Sequence, residues 1–233
     1  MMKFHYTTLD TCHAATGLVI VIDVIRAFTN AAYAFAGGVE KIYPVGTVDE
    51  ALQLKKENQG MLACGEVGGI PPAGFDLGNS PTQVLELDLR GCTLVQRTGA
   101  GTQGIVRSVK AEQMVAASFV VADATVKYVQ RLVPQEVTFV ITGQYDEGSG
   151  DEDQACAEYL EILLRGENTD PAPFLKRVEE SRDAKLFENP ARPEFPFSDI
   201  AYCTALDRFD FAMPVIRENG RPVMRALTPE LGT

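Results

Sequence analysis

The chain is poor in the residues that build metal clusters of nitrogen and sulfur: 233 residues include two histidines and five cysteines. The cysteines (Cys12, Cys64, Cys92, Cys156, Cys203) are odd in number, scattered, and never spaced C-x-x-C. Neither a zinc ribbon nor a disulfide framework is therefore expected. His5 and His13 alone do not make a His-rich zinc site. The opening residues, Met1 to His5, have no apolar leader core. The longest apolar run, residues 17–22, is far too short to cross a bilayer. Basic residues are also in deficit, with 21 Lys and Arg against 32 Asp and Glu and a net charge of −11. Such an acid excess argues against nucleic acid or an anionic membrane as a partner. A cytoplasmic, reduced protein is expected, with its oligomeric state open and a homo-oligomer among the options.

What is present is a regular alternation of strand and helix patterns. Hydrophobic residues make up 45% of the chain, enough for a core without covalent staples. Gly17 to Ile22 is continuous and β-branched, the pattern of a strand buried on both faces. A helix is expected from Arg26 to Ala36, stopped by Gly37-Gly38. A strand follows at Lys41 to Val45, its proline favouring an edge or a strand end. Thr47-Val-Asp-Glu50 is a capping box opening a helix to about Glu57, and Met61 to Cys64 is another short strand. After a Gly/Pro loop (68–79), Ser80-Pro81 reads as a helix start. Further strands are expected at Thr93 to Val95, Ser118 to Ala122 and Glu136 to Thr142. Helices are expected after residue 104, from Asp123 to about Leu132, from Asp153 to Leu164, and from Phe174 to Glu180. Ala212 to Ile216 and Pro222 to Leu227, joined by Asn219-Gly220, read as a C-terminal β-hairpin. With no repeat or clean boundary, residues 1–233 are expected to form one three-layer α/β/α domain on a mostly parallel or mixed sheet.

Arg97-Thr98-Gly99-Ala100-Gly101-Thr102-Gln103-Gly104 lies between a strand and a helix. A glycine-rich turn there directs backbone N–H groups at one spot and suits phosphate. The same glycines spell G-x-G-x-x-G, and Asp123 follows about twenty residues on, so a dinucleotide site is an alternative. The loop comes after several strands rather than in the first βα unit, which weighs against it. Asp23, Glu66, Thr98 and Asp123 are expected at carboxyl ends of strands, where ligands bind in such sheets. Each also has a plainer reading as a cap or loop residue. Asp23 with Arg26 one turn on reads as a metal ligand or nucleophile beside a phosphate clamp, or as an N-cap and an ordinary arginine. Gly74 to Pro81 places Asp76, Asn79 and Ser80 beside a pocket, or is a turn into a capped helix. Asp151-Glu152-Asp153 opens a helix, which the helix dipole explains; these residues also suit an oxygen-rich magnesium site.

Four segments occur in the order seen in one family: Asp23-Val-Ile-Arg-Ala27, Gly65-Glu66, Gly74-Phe-Asp-Leu-Gly-Asn-Ser-Pro81 and Arg97-Thr-Gly-Ala-Gly-Thr102. Together with Glu152-Asp153 followed by Ala155-Cys-Ala157, they make the chain resemble the 2-phosphosulfolactate phosphatases of coenzyme M biosynthesis, the ComB-like proteins. Asp199 and Pro214 fit the C-terminal pattern more loosely. The resemblance spans about residues 15–215. It departs at Gly99-Ala100, where many relatives carry a threonine and an asparagine. It implies a magnesium-dependent phosphoric monoester hydrolase that releases phosphate from 2-phosphosulfolactate. Asp23, Glu66, Asp76, Glu152 and Asp153 are then candidate ligands of one Mg²⁺. Arg26 and Arg97 would balance charge on the transferring group. Thr98, Gly99, Gly101 and Thr102, with Asn79 and Ser80, would hold the substrate. The catalytic set is Asp23, Arg26 and Glu66, and the nucleophile is either water or Asp23. The partner expected is a small anionic phosphorylated molecule. Two other classes stand beside this one: a nucleotide-dependent oxidoreductase using Gly99–Gly104, and a non-catalytic sensor of anionic metabolites.

Overall fold

The computed structural model describes residues 2–143 and 151–229. In chain order these carry β1 (Lys3–Thr8), β2 (Leu18–Ile22), α1 (Ala27–Ala36), β3 (Lys41–Pro44), α2 (Val48–Glu57), β4 (Met61–Gly65), α3 (Pro81–Leu85) and β5 (Thr93–Arg97). There follow α4 (Gly101–Arg107), β6 (Gln113–Ala117), α5 (Ala122–Leu132), β7 (Glu136–Ile141), α6 (Asp151–Leu164), α7 (Ala172–Glu180), α8 (Ser198–Cys203), β8 (Met213–Glu218) and β9 (Arg221–Met224). The strands form one mixed sheet in the order β1-β7-β2-β6-β8-β9-β3-β5-β4. Two parallel blocks, β1-β7-β2-β6 and β3-β5-β4, are joined by the β8-β9 hairpin, which pairs antiparallel on both sides. The expected C-terminal hairpin is thus present, in the middle of the sheet.

The alternation of side chains along β2 explains the three layers. Val19 and Val21 pack into a core with α1 and α4. Leu18, Ile20 and Ile22 pack on the opposite face with α5, α6 and β7. All five are buried, and each such side chain contributes about 1.5–3 kcal/mol through removal from water. A third cluster places Ala51 and Leu54 of α2 on Ala63 and Val95. The Thr47 hydroxyl caps α2 by accepting from Glu50 N at 3.1 Å. Ser80 caps α3 by accepting from Gln83 N, with Pro81 at the first helical position.

The structure corrects the sequence reading in several places. The strand expected at Ser118 to Ala122 is Gln113–Ala117, and residues 119–121 form a short 3₁₀ turn into α5. The apolar character of residues 114–122 runs through both elements (Met114 to Ala117, then Phe119 to Ala122, all buried). Periodicity therefore could not mark the boundary. β1 was not expected, because an edge strand that reads Lys-Phe-His-Tyr-Thr-Thr and has no fully buried residue has little apolar signal. The region after α7 contains a 3₁₀ segment (Ala184–Glu188) and α8, neither of which was expected. Pro44 is the last residue of β3, a position its missing N–H tolerates.

Candidate active site

The carboxyl end of β2 meets the ends of β4, β5 and β7 around a cavity of about 330 Å³. Its acidic lining consists of Asp23, Glu66, Glu152, Asp153 and Asp183, and its one basic lining residue among those described is Arg26. Asp23 follows β2 and is buried. Its Oδ1 accepts from Ala27 N at 2.9 Å and its Oδ2 from Gly101 N at 2.7 Å. The carboxylate therefore does what an N-cap does for α1, and it also ties β2 to the glycine loop. Asp153, in the first turn of α6, accepts from Val24 N at 2.7 Å and from Gly143 N at 2.8 Å. It joins the ends of β2 and β7. Glu152 is buried beside it, and its Oε2 has no hydrogen-bond partner.

Burial sets the protonation of this group. Desolvation, then the neighbouring Asp153, pushes the Asp23 carboxyl up to about 8. Glu152 is raised by burial and then by Asp183, and Asp153 by burial and then by Glu152. Like charges this close oppose each other's ionisation in a medium of low dielectric.

The glycine loop does not present the open N–H cradle expected of it. Gly99 N donates to Glu66 Oε1 at 2.5 Å, and Gly101 N donates to Asp23. Thr98 N donates to Thr102 Oγ1 at 2.8 Å and Thr102 N to Thr98 Oγ1 at 3.1 Å. The loop is an anion-holding turn, but the anions are the chain's own carboxylates. Glu66 Oε2 accepts from Gly69 N at 2.8 Å, so Glu66 links the two glycine-rich segments. A Cβ on Gly101 would lie 2.7 Å from Asp23 Oδ2 and 2.9 Å from Ala27 Cβ. Glycine at 101 is needed for the close approach of Asp23.

Other expected site residues divide. Asn79 lines the cavity, and its buried Oδ1 has no partner. Ser80 is buried and turned to Asp199, to which its hydroxyl donates at 3.0 Å. Asp76 lies outside the cavity: it is exposed, paired with Lys55 at 2.6 Å, and accepts from Ala63 N at 2.7 Å. Those partners fix the Gly/Pro loop against β4 and hold Asp76 apart from Asp23, Glu66, Glu152 and Asp153 of the cavity lining. Arg97 also lies outside the cavity lining, its Nη1 donating to Glu66 O at 2.8 Å. Asp123 is on α5, away from the cavity, and is paired with Lys127 one turn along. The dinucleotide alternative needs it at the site.

Arg26 lines the cavity beside Phe187 and Phe195, whose rings lie 4.8 and 5.0 Å from its guanidinium carbon and pack edge to face on each other. Its Nη1 donates to Asp199 Oδ2 at 2.7 Å and to Glu194 O at 2.9 Å. Of these partners only Asp199 had any signal in the sequence. The segment that supplies Asp183, Phe187, Phe195 and Asp199 is rich in proline and charge, with no periodicity to give it away.

A family model described as 2-phosphosulpholactate phosphatase matches residues 5–219. The chain belongs to the 2-phosphosulfolactate phosphatase family. A Bacillus subtilis (strain 168) protein named as a probable 2-phosphosulfolactate phosphatase is 35% identical over 212 residues, covering 91% of this chain and 92% of its own. Relatives with the same name in Carboxydothermus hydrogenoformans and Thermotoga maritima are 34% and 32% identical. They cover 89% and 82% of this chain, and 90% and 85% of their own lengths. Each of the five segments quoted above contributes to the cavity lining, through Asp23, Glu66, Asn79, Gly99-Ala100 and Glu152-Asp153.

Proposed function

We propose that this chain is a phosphoric monoester hydrolase that removes phosphate from 2-phosphosulfolactate or a closely related phosphorylated hydroxy acid, with Mg²⁺ as cofactor. The observation that carries the reading is the buried carboxylate group Asp23, Glu152 and Asp153 at the end of β2, with Glu152 Oε2 lacking a partner. An ionised, unpaired carboxylate in such a place is costly without a cation. Among the described residues no three His, Cys, Asp or Glu side chains form a preassembled metal-holding group. Mg²⁺ usually takes one or two carboxylates, keeps several waters, and completes its shell with substrate phosphate oxygens. Asp23, Glu152 and Asp153 would hold it, with Glu66 at the rim. When bound, the ion supplies the positive charge that lets a phosphate enter an acidic cavity and stabilises charge on the transferring group.

The protein's own part is positioning. Phosphoryl transfer leaves little covalent chemistry to the enzyme. Both oxygens of Asp23 accept backbone N–H bonds, which hold it as an oriented ligand and blunt it as a nucleophile. The attacking oxygen is therefore assigned to water. The glycine loop keeps Asp23 and Glu66 in place, and Arg26 adds the one basic side chain of the described lining.

Phosphate release from 2-phosphosulfolactate and a panel of phospho-hydroxy acids tests this reading. Turnover of 2-phosphosulfolactate or a near analogue above the rest of the panel is expected. Binding without turnover across the panel would favour a sensor instead, and tight NAD(P) binding by the purified protein an oxidoreductase.

A further inference from the structure

We infer that Asp199 is a positioning residue that fixes the Arg26 guanidinium to receive a non-reacting acid group of the substrate, a carboxylate or sulfonate. This rests on the phosphatase reading above. Asp199 is fully buried. Its Oδ1 accepts from Ser80 Oγ at 3.0 Å, Thr82 N at 3.0 Å and Thr82 Oγ1 at 2.7 Å, while Oδ2 accepts from Arg26 Nη1. A carboxylate anchored at one oxygen by three donors has little freedom to turn. It therefore passes the rigidity of the Ser80-Pro81-Thr82 helix start on to Arg26.

The guanidinium also rests against a corner formed by two rings packed edge to face, their centroids 5.2 Å apart. Phe187 lies 4.8 Å from its carbon and Phe195 5.0 Å. With Nη1 anchored and both ring contacts in place, the guanidinium is held before any ligand arrives. Arginine's fixed fork matches planar or bidentate oxyanions, and preorganisation of this kind adds affinity by lowering the entropy lost on binding.

The position of the fork assigns it to the part of the substrate that does not react. The carboxylates that would take the metal are held by the backbone N–H groups of Val24, Ala27, Gly101 and Gly143. Arg26 is held by a different wall, residues 187–199. A phosphate monoester without a second acid group has no use for a prealigned arginine there. The G-N-S-P segment, expected to touch substrate through Ser80, acts instead through Asp199.

The test compares 2-phosphosulfolactate with isopropyl phosphate, which has the same ester centre and no second acid group. Arg26→Lys and Asp199→Asn are expected to lower the ratio of kcat/KM for the two substrates by about 100-fold, the scale for misplacing a positioning group by about 1 Å. The loss should fall mainly on KM. Ser80→Ala should shift the ratio in the same direction by less. As a readout independent of turnover, calorimetric binding of sulfolactate should weaken at least tenfold more than binding of inorganic phosphate. Equal losses on both substrates and both ligands would overturn the inference, as would an unchanged ratio in folded Asp199→Asn. Wild-type protein that releases no phosphate from any substrate, yet shows the differential binding, would sink the phosphatase reading and leave the anion assignment standing.

Discussion

Gly101→Ala isolates the contact between the glycine loop and Asp23. The added methyl would sit 2.7 Å from Asp23 Oδ2, 2.9 Å from Ala27 Cβ and 3.0 Å from Asp23 Cβ. Non-bonded carbon atoms settle at about 3.5–4.0 Å, so relief requires a displacement of roughly 0.5–1 Å. Ala27 begins α1 and is itself buried, so most of the movement falls on Asp23. Two costs follow. The Gly101 N–H bond to Asp23, at 2.7 Å, contributes about 0.5–1.5 kcal/mol with the carboxyl protonated and about 1.5–3 kcal/mol with it ionised. A shift of about 1 Å at a reacting centre costs about 100-fold in rate. The expected result is a fall in kcat/KM for 2-phosphosulfolactate of about 100-fold or more, carried mainly by kcat. Overpacking of about 1–3 kcal/mol should lower Tm by about 2–4 °C per kcal/mol for a chain of this size. Steady-state phosphate release and a thermal melt read both. A Gly101→Ala protein with kcat/KM within threefold of wild type would refute the claim that this glycine exists to admit Asp23.

Three further outcomes are expected. Asp23→Asn should lose at least 1,000-fold in phosphate release and bind Mg²⁺ more weakly by calorimetry, because it removes a carboxylate ligand and sets an amide N–H against the N–H of Ala27 or Gly101; retained full activity would end its assigned role. The Asp23 carboxyl protonates near pH 8 in the folded chain, against about 3.9 when unfolded, so the native state binds more protons between those values. Its contribution to stability is complete below about pH 4 and is lost as pH rises through about 8; melts in EDTA should show it declining over that range, with the Tm gain from added Mg²⁺ larger at pH 8.5 than at pH 6, and an equal gain at both would contradict the carboxylate group as the ion's site. A single turnover in heavy-oxygen water with enzyme in excess should place the label in released phosphate; label in Asp23 would make Asp23 the nucleophile.

The layered fold was readable because β2 carries a run of β-branched residues that only a strand buried on both faces can accommodate. The caps at Thr47 and Ser80 were readable because each is local chemistry: a hydroxyl three residues before an N–H. Asp23, Glu66, Glu152 and Asp153 were legible as acidic residues at element ends. Their partners were not. That Gly101 N serves Asp23 is a contact across 78 residues, and spacing within the loop gives no hint of it. The loop's N–H groups were expected to be free for phosphate, because a sequence shows donors and hides the acceptors that occupy them. Asp76 looked like a ligand for the same reason, since its partner Lys55 is 21 residues away. Asp183, Phe187 and Phe195 lie in an aperiodic segment, of which the two phenylalanines pack on Arg26 and Ile25. A buried cation can impose such packing, and residue patterning does not reveal it.

Phosphate release from 2-phosphosulfolactate by metal-stripped protein, followed as Mg²⁺ is titrated back, tests the central claim most directly. The carboxylate site requires no release without the ion and a saturable return of activity with it, absent in Asp23→Asn. Full activity in the stripped protein, unchanged by added Mg²⁺, would contradict it.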